Sequence, residues 1–277
     1  PCTDSIIKSK ISEVIYAVTD IDKRVRNKSF KILNSNKIVV RKGLLRDKIN
    51  NFYYPYFYNR KKKLPFVTGK IAISKNNLIY SKGVKRITDI QSDKLTHYLR
   101  YQNDSILISY KTLNCDNPRL DCRINGLSKY SPIKIILDNK LQSKVNSYLF
   151  RKIKNKNIII FYNKADSSKI RLFKKKKINL IKSNLLKDGN FDLNKILKKL
   201  YSIGCRNLLV EGGSELSKSF FKNKLFNKFY LFKSPKKLSK FVSHKSFKSF
   251  YYLSQNYKSN AKIINNNGKD KIFMYQN

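Results

Sequence analysis

The chain has 277 residues, of which 41% are hydrophobic, and this is too apolar a composition for a disordered protein. Its 61 lysines and arginines against 17 aspartates and glutamates give a formal net charge of +44. The longest apolar runs, such as residues 158–162, are far shorter than the roughly 20 residues of a membrane span, so no membrane partner is expected.

Residues 1–62 show short helical and strand patterns that end in a basic stretch. The pattern predicts helices at residues 3–10 and 27–34, strands at 13–18 and 37–41, and a helix from residue 47 to 59 that Pro55 interrupts. Residues 60–63 are interpreted as a link that separates two domains, 1–62 and 63–277. The chain opens without a methionine or a secretory signal, and we expect a fragment whose natural N-terminus lies upstream.

Residues 63–277 alternate apolar strand patterns with amphipathic helical patterns, which is typical of an α/β domain with a covered sheet. Strands are predicted at residues 66–73, 105–109, 133–137, 158–162, 178–181, 207–210, 226–232 and 271–275. Helices are predicted at residues 90–101, 193–203 and 215–222, and Gly204 is expected to end the second of them.

The large positive charge taken alone favours binding to nucleic acid or another polyanion. However, the basic residues are spread over the whole chain, and the longest run is only residues 174–177. The many Lys, Asn, Ile and Tyr residues are what AT-rich codons supply, so solvated lysines are the favoured interpretation. The four cysteines lack metal-site spacing, which favours reduced thiols in the cytoplasm.

The segment from Asn207 to Leu216 combines an apolar strand, a Gly-Gly turn and the start of a helix. Free backbone N–H groups at such a turn can bind a phosphate, and glycines let it approach the backbone closely. Glu211, at the end of the strand, is a candidate for binding a sugar hydroxyl. The alternative is an ordinary tight turn beside a solvent-facing strand end.

The segment from Thr112 to Arg123 is predicted to be a polar loop that follows a strand. Asp116 is suited to bind a ribose or to donate a proton, and Arg123 to clamp a phosphate. The alternative is a simple turn at Asn117-Pro118. Neither His97 nor His244 has a motif around it, and each is expected to be a surface or structural histidine.

Several segments, taken in order, resemble the bifunctional riboflavin-biosynthesis deaminase–reductase family. They are Pro1-Cys2-Thr3-Asp4-Ser5-Ile6-Ile7 and residues 65–74, 99–100, 104–107, 112–123, 132–138 and 210–216. The resemblance implies a dihydrofolate-reductase-like α/β reductase domain over residues 63–277. It also implies that residues 1–62 are the C-terminal remnant of a cytidine-deaminase-like α/β/α domain, and it favours a homodimer.

The implied reaction is the NADPH-dependent reduction of 5-amino-6-(5-phosphoribosylamino)uracil to its phosphoribitylamino product. The ribosylamine ring opens to an imine, and C1′ accepts a hydride from the cofactor. The resemblance implies cofactor contacts at Ala72, Thr112, Asp116, Gly213, Ser214, Glu215, Leu216, Ser217, Lys218 and Ser219. It implies substrate contacts at Arg100, Leu120, Arg123 and Glu211, and makes Asp116 and Lys70 the candidate catalytic residues.

The chain departs from the family pattern at two places. Asn76-Asn77 stands where the family has Asp-Gly, and Val84-Lys85-Arg86 stands where it has a substrate serine and a cofactor-stacking tryptophan. These losses motivate an alternative, a reductase fold that has lost its activity. A basic nucleic-acid-binding protein is the other alternative.

A zinc deaminase site needs two cysteines, a further His or Cys ligand, and a Glu from a His-x-Glu motif. Cys2 supplies one ligand, but no His-x-Glu occurs in the chain. We therefore expect zinc and deaminase activity only in a longer protein that includes the rest of the deaminase domain.

Overall fold

The computed structural model describes residues 2–22, 24–151, 157–257, 261–265 and 267–276. The chain divides into two compact units, Pro1–Leu64 and Pro65–Asn277.

The first unit contains a pair of parallel strands and three helices within its described residues. The helices are α1 Cys2–Lys8, α2 Lys28–Ser35 and α3 Arg46–Lys62, and the strands are β1 Glu13–Tyr16 and β2 Val39–Lys42. Among the described residues of this unit, only Leu33 and Ile38 are buried apolar side chains, while Phe52 is 74% exposed. The apolar core of the first unit is therefore small.

The prediction that Pro55 interrupts its helix is wrong. Helix α3 runs through Pro55 and also takes in most of the basic stretch that was interpreted as a link. A proline in a helix leaves the carbonyl four residues earlier without its donor. That residue, Asn51, is exposed, so water can satisfy its carbonyl and the helix continues.

The second unit is built on a mixed sheet. Its strands are β3 Phe66–Ile73, β4 Leu78–Ser81, β5 Ser105–Ser109, β6 Ile133–Leu137, β7 Ile158–Tyr162, β8 Asn179–Lys182, β9 Asn207–Val210, β10 Lys228–Lys233, β11 His244–Ser246, β12 Lys262–Ile264 and β13 Lys271–Gln276. Within the described residues, nine of them form one sheet in the order β12-β13-β10-β3-β9-β5-β6-β7-β8. Neighbours from β10 to β8 are parallel, whereas β13 runs antiparallel to both β10 and β12. Strands β4 and β11 form a separate antiparallel pair.

Helices connect the strands and cover the sheet. They are α4 Ile90–Gln102, α5 Tyr110–Asp116, α6 Tyr148–Arg151, α7 Ser167–Lys175, α8 Leu193–Ser202, α9 Ser214–Lys222 and α10 Phe250–Asn256. Four consecutive residues of β5, Ser105 to Ile108, are fully buried, so both faces of the sheet are covered there. The α/β prediction is therefore confirmed.

Helix α8 ends as the sequence predicts. Gly204 follows its last turn with φ +103°, a conformation that glycine adopts without steric cost. The main-chain N–H groups of Gly204 and Cys205 donate to the carbonyls of Tyr201 and Leu200. These two bonds satisfy carbonyls that the end of a helix otherwise leaves free.

The prediction of a loop from Thr112 to Arg123 is wrong in its first part. Residues 110–116 form α5, because Ser109 is a helix cap whose side-chain oxygen accepts from the main-chain N–H of Thr112 at 3.3 Å. The helix ends at Asn117, which has φ +43°. The loop proper therefore spans only residues 117–123.

Candidate active site

A cavity of about 930 Å³ lies at the carboxyl ends of β3, β9 and β5, three neighbouring parallel strands in the middle of the sheet. Ligands of open α/β sheets bind in crevices at this end of the strands. The lining comes from six parts of the second unit, namely residues within 70–72, 79–88, 108–123, 211–216 and 244–248, together with Asp93 on α4.

The turn before α9 forms one wall of the cavity. Gly213 occupies the cap position of the helix, and no side chain caps its first N–H groups. A Cβ added at Gly213 meets nothing within 4 Å, whereas one at Gly212 lies 3.0 Å from the side chain of Leu216. The turn therefore presents bare main-chain donors and the positive end of a helix dipole to the cavity.

Helix α5 brings Thr112 and Asp116 to another part of the cavity wall. The two residues are one helical turn apart, so their side chains lie on the same face of the helix. The Thr112 hydroxyl is 3.2 Å from that of Ser109, which fixes its position at the start of the helix. Both residues line the cavity.

A buried ion pair closes the inner end of the site. Arg100 on α4 binds Glu211 at the end of β9 through two hydrogen bonds, Nε to Oε1 at 2.7 Å and Nη2 to Oε2 at 2.8 Å. Their side chains are only 11% and 14% exposed. Burial alone would raise the pKa of Glu211, but the Arg100 guanidinium outweighs it and the pKa is lowered. Glu211 is therefore held as a carboxylate.

Lys70, on β3, extends its ammonium over the ring of Phe232, 4.8 Å from the ring centroid. Burial lowers the pKa of Lys70, and the positive charge of Arg100 acts in the same direction. The negative charge of Glu211 opposes both effects. The net lowering makes Lys70 a better proton donor than an exposed lysine.

The loop from residue 117 to 123 forms a further part of the wall and contains a residue in a rare backbone conformation. Leu120 has φ +55° although its side chain is only 2% exposed. Non-glycine residues rarely adopt this conformation, and the surrounding contacts must maintain it. Arg123, at the end of the loop, pairs with the carboxylate of Asp121 at 2.6 Å.

The structure adds a wall that the sequence did not predict. Strands β4 and β11 place Tyr80 and Lys245 opposite each other, with the Lys245 ammonium 5.6 Å from the Tyr80 ring centroid. His244 and Lys248 also line this side. The wall is basic and aromatic, which suits an anionic ligand that carries a ring.

Most residues proposed from the sequence meet in this one cavity. They are Lys70, Ala72, Thr112, Asp116, Leu120, Arg123, Glu211, Gly213, Ser214, Glu215 and Leu216. Arg100 lies behind the wall and acts on it through Glu211. Ser217, Lys218 and Ser219, farther along α9, do not line the cavity.

Cys2 belongs to the first unit, where it is exposed on α1. Among the described residues, no cluster of three or more His, Cys, Asp or Glu side chains could hold a metal ion. Within the same ranges, no helix is both long enough and apolar enough to cross a membrane.

The mixed sheet with its cavity at the strand ends defines an α/β enzyme. The model of the RibD C-terminal domain family matches residues 72–248, and the chain belongs to this family. The expected relationship to the riboflavin-biosynthesis deaminase–reductase family and its reductase fold is thereby confirmed.

Known relatives match the chain over different lengths. The riboflavin biosynthesis protein RibD of Aquifex aeolicus is 27% identical and covers all of the chain, which spans 76% of that protein. RibD of Chlamydia trachomatis is 27% identical over 85% of the chain, which spans only 63% of that relative. The 2,5-diamino-6-ribosylamino-4(3H)-pyrimidinone 5′-phosphate reductase of Debaryomyces hansenii is 28% identical over 55% of the chain and 67% of its own length.

The fold also matches a solved structure. The diaminohydroxyphosphoribosylaminopyrimidine deaminase/5-amino-6-(5-phosphoribosylamino)uracil reductase of Thermotoga maritima superimposes with a TM-score of 0.79 at 24% identity. The match covers all of the chain and 74% of that protein.

Proposed function

We propose that the chain reduces 5-amino-6-(5-phosphoribosylamino)uracil to the phosphoribitylamino compound with NADPH, as a reductase of riboflavin biosynthesis. The observation that carries the proposal is the meeting of Lys70, Asp116, Arg123 and Glu211 in one cavity. Neither a nucleic-acid-binding role nor a metal is needed to account for this arrangement.

We assign the α9 side of the cavity to the dinucleotide. The uncapped N–H groups at Gly213 and the open space around it suit a pyrophosphate. Thr112 and Ala72 line the same cavity and are proposed as further cofactor contacts. The cationic wall at Lys245 and Lys248 supports a 2′-phosphate and hence NADPH over NADH.

The substrate is assigned to the part of the cavity lined by Leu120, Arg123 and Glu211. The Arg123 guanidinium suits a phosphate, and the carboxylate of Glu211, fixed by Arg100, suits a sugar hydroxyl. Leu120 supplies an apolar contact between them. A substrate held in this way would present C1′ toward the middle of the cavity.

The bound cofactor supplies the hydride for C1′, and the chain must supply a proton for the adjacent nitrogen. Lys70 and Asp116 are the titratable side chains proposed for this transfer. Lys70 has a lowered pKa, so its ammonium gives up a proton more readily than an exposed lysine does. Asp116 orients the sugar or relays the proton.

The experiment that tests the proposal is the substrate-dependent loss of NADPH absorbance, with wild-type protein and Asp116→Asn. We expect turnover in the wild type and a loss of about 100-fold in the variant. The matched control is Asp166→Asn at the start of α7, an exposed aspartate that makes no cap hydrogen bond. Its activity should equal that of the wild type.

Other outcomes separate the alternatives. A folded wild-type protein that binds NADPH without turnover would favour a decayed enzyme. Protein that does not bind NADPH would contradict the proposed function. The homodimer, the cytoplasmic location and the deaminase activity of a longer protein stay predictions.

A further inference from the structure

His97 lies on α4, three residues before Arg100, and only 9% of its surface is exposed. Its Nδ1 atom is 3.1 Å from the main-chain oxygen of Asp121 and 3.2 Å from the main-chain nitrogen of Arg123. An imidazole nitrogen can donate to the first or accept from the second, but it cannot do both. The protonation of Nδ1 therefore decides which main-chain group the ring binds.

The segment that His97 contacts, residues 121–123, directly follows a strained residue of the cavity wall. Leu120 precedes it with φ +55°, and Leu120 and Arg123 both line the cavity. On the far side of the segment, the Cys122 N–H donates to the hydroxyl of Ser131 at 3.0 Å. A backbone in a rarely populated conformation keeps its shape only while such contacts persist.

The charged groups around the ring favour its neutral form. Burial lowers the pKa of His97, and the guanidinium groups of Arg100 and Arg123 lower it further. Asp121 acts in the opposite direction, through its carbonyl and its charge. Glu211, directly after β9, also acts electrostatically on His97, but Arg100 neutralises it. At neutral pH the ring is therefore uncharged and able to accept a hydrogen bond.

We propose that His97 is a positioning residue of the substrate site, which accepts the main-chain N–H of Arg123 at Nδ1 and so holds Leu120 and Arg123 in their binding geometry. His97 itself does not line the cavity. When the ring is protonated, Nδ1 must donate instead, and Asp121 is the acceptor within reach. The bond to Arg123 is then lost. This inference rests on the proposed function, because it assigns Arg123 to the substrate.

Three variants test the role of the ring. His97→Asn keeps an acceptor close to the position of Nδ1 and does not titrate, whereas His97→Leu removes the acceptor. Thr96→Val is the matched control, because its hydroxyl bonds only within α4, to the carbonyl of Ser92 at 3.0 Å. For each, KM for the phosphoribosyl substrate, KM for NADPH and kcat are measured between about pH 5 and 8.

The expected result is a selective effect on the substrate. His97→Leu should raise the substrate KM roughly fivefold, the size of one lost neutral hydrogen bond, with a smaller change in kcat and none in the KM for NADPH. His97→Asn should restore the KM. In the wild type the substrate KM should rise as the pH falls below 6.5, and in His97→Asn it should stay constant. An unchanged KM in folded, active His97→Leu would overturn the proposal.

A spectroscopic measurement tests the same bond without turnover. The chain has only two histidines, and His244 is exposed, so the imidazole nitrogens can be resolved by NMR. We expect His97 to carry its proton on Nε2 and the Arg123 amide signal to shift as His97 titrates. A proton on Nδ1 at neutral pH would refute the positioning role, even if the wild type shows no reductase activity. Absence of turnover with the expected tautomer would count against the proposed function alone.

Discussion

Arg100 and Glu211 form a two-bond ion pair across 111 residues of sequence, and it joins α4 to the end of the central strand β9. The same guanidinium also reaches the main-chain oxygen of Asp121 through Nη1, at 3.3 Å. One side chain thus connects a helix, a strand and the loop that carries Leu120. Both members of the pair are mostly buried, so each depends on the other for its charge to be compensated.

Glu211→Gln should destabilise the protein by about 3 kcal/mol, because Arg100 is left as an uncompensated buried charge. Urea unfolding followed by circular dichroism measures the change. Lys195→Met is the control, since Lys195 is 72% exposed and 3.9 Å from Asp192; there the loss should be below about 0.5 kcal/mol. If the two variants lose similar amounts of unfolding free energy, the buried pair does not stabilise the protein as described. The double variant Arg100→Met/Glu211→Leu should regain stability but not activity.

Gly69→Ala should destabilise the protein by about 1–3 kcal/mol through overpacking. The added Cβ would overlap the ring of Phe229 and lie 2.6 Å from that of Phe226, and both rings are buried. Thermal unfolding measures the change. Adding Phe229→Leu to Gly69→Ala should recover part of the loss. If Gly69→Ala is as stable as the wild type, the rings at this position are not packed as described.

Two of the four thiols should react with a thiol reagent at about pH 8, and all four after denaturation. Cys2 and Cys115 are exposed, whereas Cys122 and Cys205 are buried. Burial, together with the nearby charge of Asp104, raises the pKa of Cys205 to about 11. The number of thiols modified in native protein is the measurement, and rapid labelling of Cys205 would show that the start of β9 is open to solvent.

Asp89→Asn should weaken the junction between α4 and the loop before β13. The Asp89 carboxylate accepts from the main-chain N–H groups of Ser92 at 2.8 Å and Lys269 at 2.6 Å. Burial would raise the pKa of Asp89, but these bonds outweigh it and lower the pKa below 3.8. Charge-assisted bonds of this kind contribute about 1–2 kcal/mol.

The effect of Asp89 on stability should depend on pH in a defined direction. A lowered folded-state pKa stabilises the protein above pH 3.8, and the contribution is lost as the pH falls through the folded-state value. The difference in unfolding free energy between the wild type and Asp89→Asn should therefore shrink below about pH 3.8. A difference that stays constant down to acid unfolding would exclude an ionised Asp89 as its source.

The sequence predicted the central strands because their apolar runs are continuous, and it predicted the end of α8 because Gly204 is the residue that a helix end favours. It missed α5, whose only signal is the cap formed by Ser109. The strength of a cap depends on a side-chain geometry that composition does not show. The prediction at Pro55 was wrong for a related reason. The free-energy cost of a proline inside a helix depends on whether water can reach the carbonyl left without a donor, here that of Asn51.

The cavity was predictable where a residue directly follows a strand, as Glu211 follows β9. It was not predictable at Tyr80 and Lys245, because β4 and β11 are short and their pairing is set by tertiary contacts. The positioning role proposed for His97 could not be predicted from the sequence either. Its partners are main-chain atoms of Asp121 and Arg123, and a sequence pattern does not reveal which side chain such atoms will meet.

The pairing of β4 with β11 has a consequence for how the protein is made. Residues 78–81 leave the ribosome well before their partners at 244–246, because more than half of the given chain is synthesised between the two strands. Strand β3 likewise has no partner strands until β9 and β10, which flank it in the sheet, have been synthesised. A nascent chain that stops before residue 244 therefore has no complete binding wall, and premature termination should yield inactive protein even when most of the sheet is present.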